Sequence, residues 1–278
     1  MSSYWADVSD PQLWTLVWWL VVAHTGTSVL CFALYTIFDM FPSVFQRFKL
    51  QPLRTSNSLA LLISDRARST FFDSGAEGSL FTQAAVGFAV SHCVVLPLFV
   101  TAMFPLVVPD RVRSLDLSLP PTPRLLFDLA VCILCEDALF YWTHRLLHHP
   151  MLYQHFHKRH HAFNAPITIA AEFAHPVETI LGNAIPFFTG PIITNTTGGT
   201  LCLWMAIRML KTCEAHGGYH FPWLPFSFSE TVFVGAKRHD FHHSQNTGNF
   251  GSFFNFWDWF CGTDTFTEFS SRQSKKAY

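Results

Sequence analysis

The chain has 278 residues, half of them hydrophobic and 16% aromatic, and only 13% are charged. An ordinary soluble domain carries about 25% charged residues, so the composition points to a membrane protein. Eighteen Lys and Arg against 19 Asp and Glu leave a net charge of -1, which argues against a nucleic-acid partner because no basic field exists to hold a phosphate backbone.

Three stretches carry no Asp, Glu, Lys or Arg: residues 11–38, 80–108 and 179–207. At about 1.5 Å per residue, roughly 20 apolar residues cross a hydrocarbon core about 30 Å thick, and each stretch exceeds that. The first follows only Asp7 and Asp10 and has no basic segment before it, a poor fit to a cleaved signal peptide, so it is expected to remain as a membrane helix. Residues 40–79, with Pro42, Pro52 and a Ser- and Gly-containing stretch at 72–79, read as a cytosolic linker with short helices. After the second stretch a helix is expected over 125–143, carrying Asp128, Glu136 and Asp137 among apolar residues; acids at membrane depth are costly and face an interior. Cys132 and Cys135 on that helix form a CxxC between Leu, Ile and Val, a setting for packing rather than for redox chemistry or zinc. The third stretch contains Pro186, Gly190, Pro191, Gly198 and Gly199, breakers that favour a hairpin of two shorter spans. Beyond Phe269 the polar SSRQSKKAY reads as a disordered tail, in which Lys275 and Lys276 have the spacing of a dilysine retrieval signal for endoplasmic-reticulum membrane proteins.

The basic residues Arg47, Lys49, Arg54, Arg66 and Arg68, and those from Arg145 onward, are expected on the cytosolic side. Arg111, Arg113 and Arg124 conflict with a simple alternation, so the number of crossings stays open.

Ten of the fifteen histidines fall in four windows: His144 and His148; His157, His160 and His161; His216 and His220; His239, His242 and His243. On a helix, residues three or four apart share a face, so every window can aim at least two imidazoles at one point. Ten converging imidazoles without a metal would repel when protonated and stay poorly satisfied when neutral. One ion takes four to six ligands, so the count points to a dinuclear centre. No Glu-x-x-His pairing of the soluble carboxylate di-iron bundles and no His-Glu-x-x-His zinc-hydrolase word occurs in the windows. Glu136, Asp137, Glu172, Glu178, Glu214 and Asp240 flank the windows as candidate outer partners of the ligands. His24 and His92, each isolated in an apolar run, read as satisfied interior residues.

The order HRLLH, HKRHH, HGGYH and HDFHH resembles the sterol desaturase and fatty acid hydroxylase superfamily of membrane di-iron oxygenases. The words between the boxes are most similar to C-4 methylsterol monooxygenases: Asn164-Ala165-Pro166, Ala171-Glu172-Phe173-Ala174-His175-Pro176-Val177-Glu178, Glu214 to Trp223, Gly248-Asn249-Phe250, Trp257-Asp258 and Gly262-Thr263-Asp264. The resemblance covers about residues 125–268. It implies an all-α polytopic membrane protein, with an N-terminal membrane region (1–124), a catalytic domain (125–268) whose cytosolic helical cap holds the metals, and a tail (269–278). It also implies that the ten window histidines bind two iron ions, with zinc as a replacement after purification, and that His175 has a structural or substrate-contact role. Methylsterol enzymes often carry Asp where this chain has His220. No catalytic residue is expected outside the metal ligands.

The reaction implied is O2-dependent oxidation of a sterol C-4 methyl group through alcohol and aldehyde to the acid, with a separate sterol C-4 decarboxylase acting next. The chain has no G-x-G-x-x-G fingerprint and no fused cytochrome b5 word. Electrons would therefore come from NAD(P)H through a separate cytochrome b5 and its reductase, docking on Lys158, Arg159, Lys237 and Arg238, four bases that read equally as residues snorkelling at the membrane surface. A hydroxylase or desaturase of another lipid (a fatty acyl chain, sterol C-5 or the sterol side chain) is the alternative with the same metals. A non-catalytic metal transporter is the alternative of another class.

Overall fold

The computed structural model describes residues 11–51, 76–99, 101 and 116–276. Most of the expected linker, the segment with Arg111 and Arg113, the end of the second apolar stretch and Asp7 and Asp10 lie outside the described residues. Among the described residues the chain is helical, and extended pairing is limited to two isolated bridges, Lys49 with Tyr219 and Phe233 with Phe254.

Helix α1 (Pro11–Met40) and helix α2 (Ala76–Val90), which continues through a π turn (Ser91–Val95) to Phe99, contain the two segments long and apolar enough to cross a bilayer, Val17–Met40 and Leu80–Phe99. Both leave much apolar surface uncovered: Trp18, Trp19, Leu30, Val86 and Leu98 are exposed. The covered side of α1, with Val17, Leu20 and Val21, packs into the main core.

Helix α3 (Thr122–Leu147) extends the expected 125–143 at both ends; Pro123 in its first turn suits a helix start, where the missing N–H costs no bond. Its three acids are buried, as their position in an apolar helix requires, and each has partners. Asp128 pairs with Arg124 at 2.7 Å, Glu136 with Arg208 at 2.6 Å, and Asp137 accepts from the backbone N–H groups of Phe253 and Phe254 at 2.8 and 2.9 Å.

Helices α4 (Ile185–Thr194) and α5 (Gly198–His216) form a hairpin where the breakers fall, but neither is among the candidate membrane spans of the described residues: α4 has 10 residues and α5 carries Arg208, Lys211 and Glu214. Asn195 supplies the left-handed turn (φ 49°), and Thr197 caps α5 by accepting from Thr200 N at 3.2 Å. Pro191 sits inside α4 rather than at the turn. Gly190 lets α4 approach α3 closely: a Cβ there would lie 2.5 Å from Cys132 Cα. Cys132 is thus a packing residue, and its core neighbours are Phe187, Leu201 and Trp204.

Helix α6 (Ala236–Gln245) and helix α7 (Thr265–Lys276) close the chain. Residues 269–276, expected as a disordered tail, continue α7. Phe269 packs on Phe241 of α6 at 5.0 Å between ring centroids, and Arg272 pairs with Glu268 one turn away, contacts that a composition argument does not see.

Candidate metal centre

The C-terminal ends of α3 and α5, helix α6 and the turns at 153–162 meet in one place, and nine of the ten window histidines gather there in two groups. His144, His148, His157, His161 and His242 form one; His160, His216, His239 and His243 form the other. Within each group one ligand atom per residue lies within 4.8 Å of all the others. The groups are neighbours, since the His161 ring of the first is 4.6 Å from His243 and 5.6 Å from His160 of the second.

Local spacing explains the division. His144 and His148 are one turn apart on α3, and His239 and His243 one turn apart on α6, so each pair faces one way. His242, one residue off that face, turns to the other group. A π turn (Tyr153–His157) followed by a 3-10 turn (His160–Ala162) aims His157 and His161 at the first group and His160 at the second.

Backbone carbonyls decide which ring nitrogen is available. A carbonyl only accepts, so the Nδ1 atoms of His144, His216, His242 and His243 carry the proton and donate to Phe250 O (3.0 Å), Thr212 O (2.9 Å), Gly248 O (2.6 Å) and Phe163 O (3.1 Å). Their Nε2 lone pairs then point inward. His157 Nδ1 lies 2.9 Å from Glu178 Oε1.

The inward Nε2 atoms sit 3.0 to 3.1 Å apart along His161–His157–His148–His242, and 2.9 to 3.3 Å apart along His160–His216–His239–His243. Ligands about 2.1 Å from one metal are separated by about 3.0 Å at a right angle and about 3.4 Å at a tetrahedral angle. Lone pairs held that close repel unless a cation lies between them. The residues therefore fit two metal ions, and imidazole donors suit first-row divalent ions such as iron or zinc.

Burial, with neighbouring imidazoles adding to it for most, holds the histidines neutral and ready to ligate. It lowers His148 to about 2 and His160 to about 4, and keeps His144, His161, His216, His239, His242 and His243 well below the ordinary imidazole range, with His157 shifted the same way.

His220, expected as the tenth ligand, lies outside both groups. Helix α5 ends at His216, Gly218 turns the chain with φ 70°, and His220 N donates to Phe48 O at 2.8 Å. The helical spacing assumed for His216 and His220 is therefore broken, and the His220 ring faces Glu230 at 3.5 Å.

Of the expected outer partners, only Glu178 stands against a ligand. Glu136 and Asp137 hold Arg208 and the 253–254 backbone, Glu214 accepts from Ser227 Oγ, and Asp240 accepts from Gln51 Nε2. Glu172 faces His24, 3.8 Å away, and His175 caps the turn at Pro176–Glu178 by accepting from Val177 N. Arg238 is buried on Asp264 and Thr267, leaving Lys158, Arg159 and Lys237 as the accessible bases. Arg208 and Lys211, which the sequence reading passed over, line a cavity of about 50 Å³ together with His144, His157, His160, Ala171, His216 and His239. Two cations in the last turns of an apolar helix were the signal that could have found them.

Comparison with known proteins matches residues 129–263 to the fatty acid hydroxylase family. The chain is 42% identical over 163 residues to methylsterol monooxygenase 1 of Rattus norvegicus, covering 56% of this chain and 55% of that one. It is 39% identical over 172 residues to methylsterol monooxygenase 2-2 of Arabidopsis thaliana, covering 61% and 63%. It is likewise 40% identical over 175 residues to a very-long-chain aldehyde decarbonylase of Oryza sativa subsp. japonica, covering 62% and 64%. The match spans less than two thirds of the length of each of these relatives. No solved structure matches the chain.

Proposed function

Residues 129–263 match the fatty acid hydroxylase family, and from that premise we propose that the protein is a membrane di-iron monooxygenase that oxidises a sterol C-4 methyl group with O2. The observation that carries the reading is the pair of histidine groups whose Nε2 atoms stand at metal-ligand separations. The relatives named methylsterol monooxygenases support the substrate. A relative of similar identity named as an aldehyde decarbonylase makes a fatty aldehyde the second reading.

His144, His148, His157, His161 and His242 would hold one iron, and His160, His216, His239 and His243 the other. The bound pair would supply the activation of O2. The protein fixes the donors: four carbonyls hold the Nδ1 protons, so the rings cannot turn away. Burial excludes water from the pair, since eight of the nine ligands are buried. Uncovered apolar surface on α1 and α2 lets a lipid approach from the bilayer.

Placement in the endoplasmic-reticulum membrane with the histidines on the cytosolic face belongs to the same proposal, supported by Arg47 and Lys49 just after α1. Cytochrome b5 with its reductase is the proposed electron donor, with Lys158, Arg159 and Lys237 on the docking surface, and a sterol C-4 decarboxylase is the proposed consumer of the product.

The test is expression in a yeast strain lacking its C-4 methylsterol oxidase, with sterols analysed and His242→Ala as control. Growth without added ergosterol and loss of 4-methylsterols with the parent alone are expected. A well-expressed, iron-loaded parent that leaves methylsterols untouched and instead consumes a long-chain aldehyde would overturn the sterol reading.

A further inference from the structure

A cavity of about 210 Å³ lies between α1, α2, α5 and the 3-10 turn Thr168–Glu172. Its wall is almost wholly apolar, with Phe32, Phe81, Phe88 and Met209 among its residues. Two polar groups on the 3-10 turn break it. Thr168 is 95% buried (5% exposed), and its Oγ1 has no hydrogen-bond partner. Glu172 has no side-chain hydrogen bond among the described residues; its ionisable neighbour, His24 Nε2, stands 3.8 Å away, beyond hydrogen-bond length.

His24 is committed elsewhere. Phe88 O accepts from His92 Nδ1 at 2.9 Å, so a His92 ring with one N–H presents an Nε2 lone pair that accepts from His24 Nδ1 at 3.1 Å. His24 Nε2 then carries no proton to donate to Glu172. The turn thus offers a buried hydroxyl and a partly exposed carboxylate, neither hydrogen-bonded among the described residues, at an apolar cavity where unmade hydrogen bonds are costly.

An alcohol satisfies both with a single oxygen, donating to the Glu172 carboxylate and accepting from Thr168 Oγ1–H. A fatty carboxylate would face Glu172 with like charge, and an aldehyde has no proton to donate. A divalent ion on His24, His92 and Glu172, whose donor atoms lie within 4.8 Å of one another, fits less well. His24 meets His92 through Nδ1 and Glu172 through Nε2, two different ring nitrogens where one ion would take one, and Thr168 would stay unpaired.

The residue between these two features links them to the metal centre, because Ala171 lines both this cavity and the one at the histidines. We propose that the cavity binds an apolar lipid alcohol whose hydroxyl is held by Thr168 and Glu172. Resting on the sterol reading, this assigns the grip on the 3-hydroxyl. C-4 is the next carbon of the ring, so the grip turns its methyl groups to the wall shared with the histidines.

The test uses the full chain in lipid nanodiscs with a radiolabelled 4,4-dimethyl-3-hydroxysterol and its 3-O-methyl ether. The parent is expected to bind the alcohol at least about 10-fold more tightly than the ether, the loss typical of a hydrogen bond to a charged group. Thr168→Val and Glu172→Gln should each reduce that preference several-fold. The ether's affinity should stay the same in both variants, which reports that the cavity is intact. Equal binding of alcohol and ether by the parent, or an undiminished preference in both variants, overturns the inference. So does loss of one bound iron or zinc per chain in His24→Ala, which would make the group a metal site. Oxidation of the C-4 methyl with equal binding of alcohol and ether defeats this inference alone, whereas failure to bind either sterol defeats the function reading as well.

Discussion

At the scale of single residues, the main finding is what holds the imidazoles. Sequence reasoning looked for carboxylates beside the ligands, and the structure supplies carbonyls, with Glu178 as the one acid in contact. Every residue has a carbonyl, so its use as an orienting group leaves no mark on composition. The Gly248-Asn249-Phe250 word shows its physical purpose here: Gly248 O and Phe250 O accept from His242 and His144, and Asp258 pins the loop by accepting from Phe250 N and Gly251 N. Gly248 has φ 62°, and a Cβ on it would come 2.5 Å from Thr263 O. Gly248→Ala is therefore expected to displace the His242 partner and to weaken metal binding about 10- to 100-fold, the usual effect of losing an orienting contact; equilibrium dialysis against zinc checks it. Glu178→Gln should weaken binding within the same range. His220→Ala should keep the parent's metal content, in contrast to alanine at any of the nine gathered histidines, as elemental analysis of the purified protein would report.

At the scale of elements, helix periodicity was legible because apolar residues and breakers mark it directly. The 125–143 helix and the hairpin are legible in apolar runs and in the breakers Pro186, Gly190, Pro191, Gly198 and Gly199, which act locally, whereas the turn residue Asn195 and the cap Thr197 come from the structure. Where the backbone leaves the α-helical path, the reading failed. His216 and His220 sit at helical spacing in sequence, but Gly217 and Gly218 end the helix between them. The division of His157, His160 and His161 between two groups depends on successive π and 3-10 turns, which no four-residue rule anticipates. Packing of α4 on α3 can be tested through its contact glycine. Gly190→Ala forces a Cβ into the Cys132 backbone and should destabilise by about 1–3 kcal/mol, lowering the thermal midpoint in detergent by several degrees. Gly26→Ala on α1, where nothing lies within 4 Å, should leave the midpoint unchanged or raise it, because Ala is the better helix former. A matching fall in both would point to a fault other than the contact.

At the scale of the whole molecule, nine neutral imidazoles gathered in one place, eight of them buried, make the metal-free protein sensitive to acid. Their native pKa values are lowered, to about 4 for His160 and about 2 for His148, while an unfolded histidine titrates near 6.5. Below about pH 6.5 the unfolded chain therefore binds protons that the folded chain refuses, so stability falls as pH falls and levels off above that value. The thermal midpoint of the metal-free protein should drop progressively from pH 7 to pH 4.5, and the drop should be smaller in a variant with His160, His216, His239 and His243 replaced by Ala. A midpoint that does not change with pH would show that the rings are already hydrated. Bound metal should raise the midpoint most near neutral pH, because protons compete for the same Nε2 atoms at lower pH.

The apolar stretches and the histidine windows by themselves determined that the chain carries membrane-compatible helices and a histidine-rich centre, because hydropathy and ligand chemistry are properties of residue type. Tertiary structure alone decided which nine histidines meet, how they divide five and four, and that His220 stands apart. It also brought His24, His92 and Glu172 together from three distant segments, beside a cavity that shares Ala171 with the metal centre. These are facts of direction and distance between elements far apart in the chain, set by packing such as Gly190 on Cys132 and by loop carbonyls that no residue type announces.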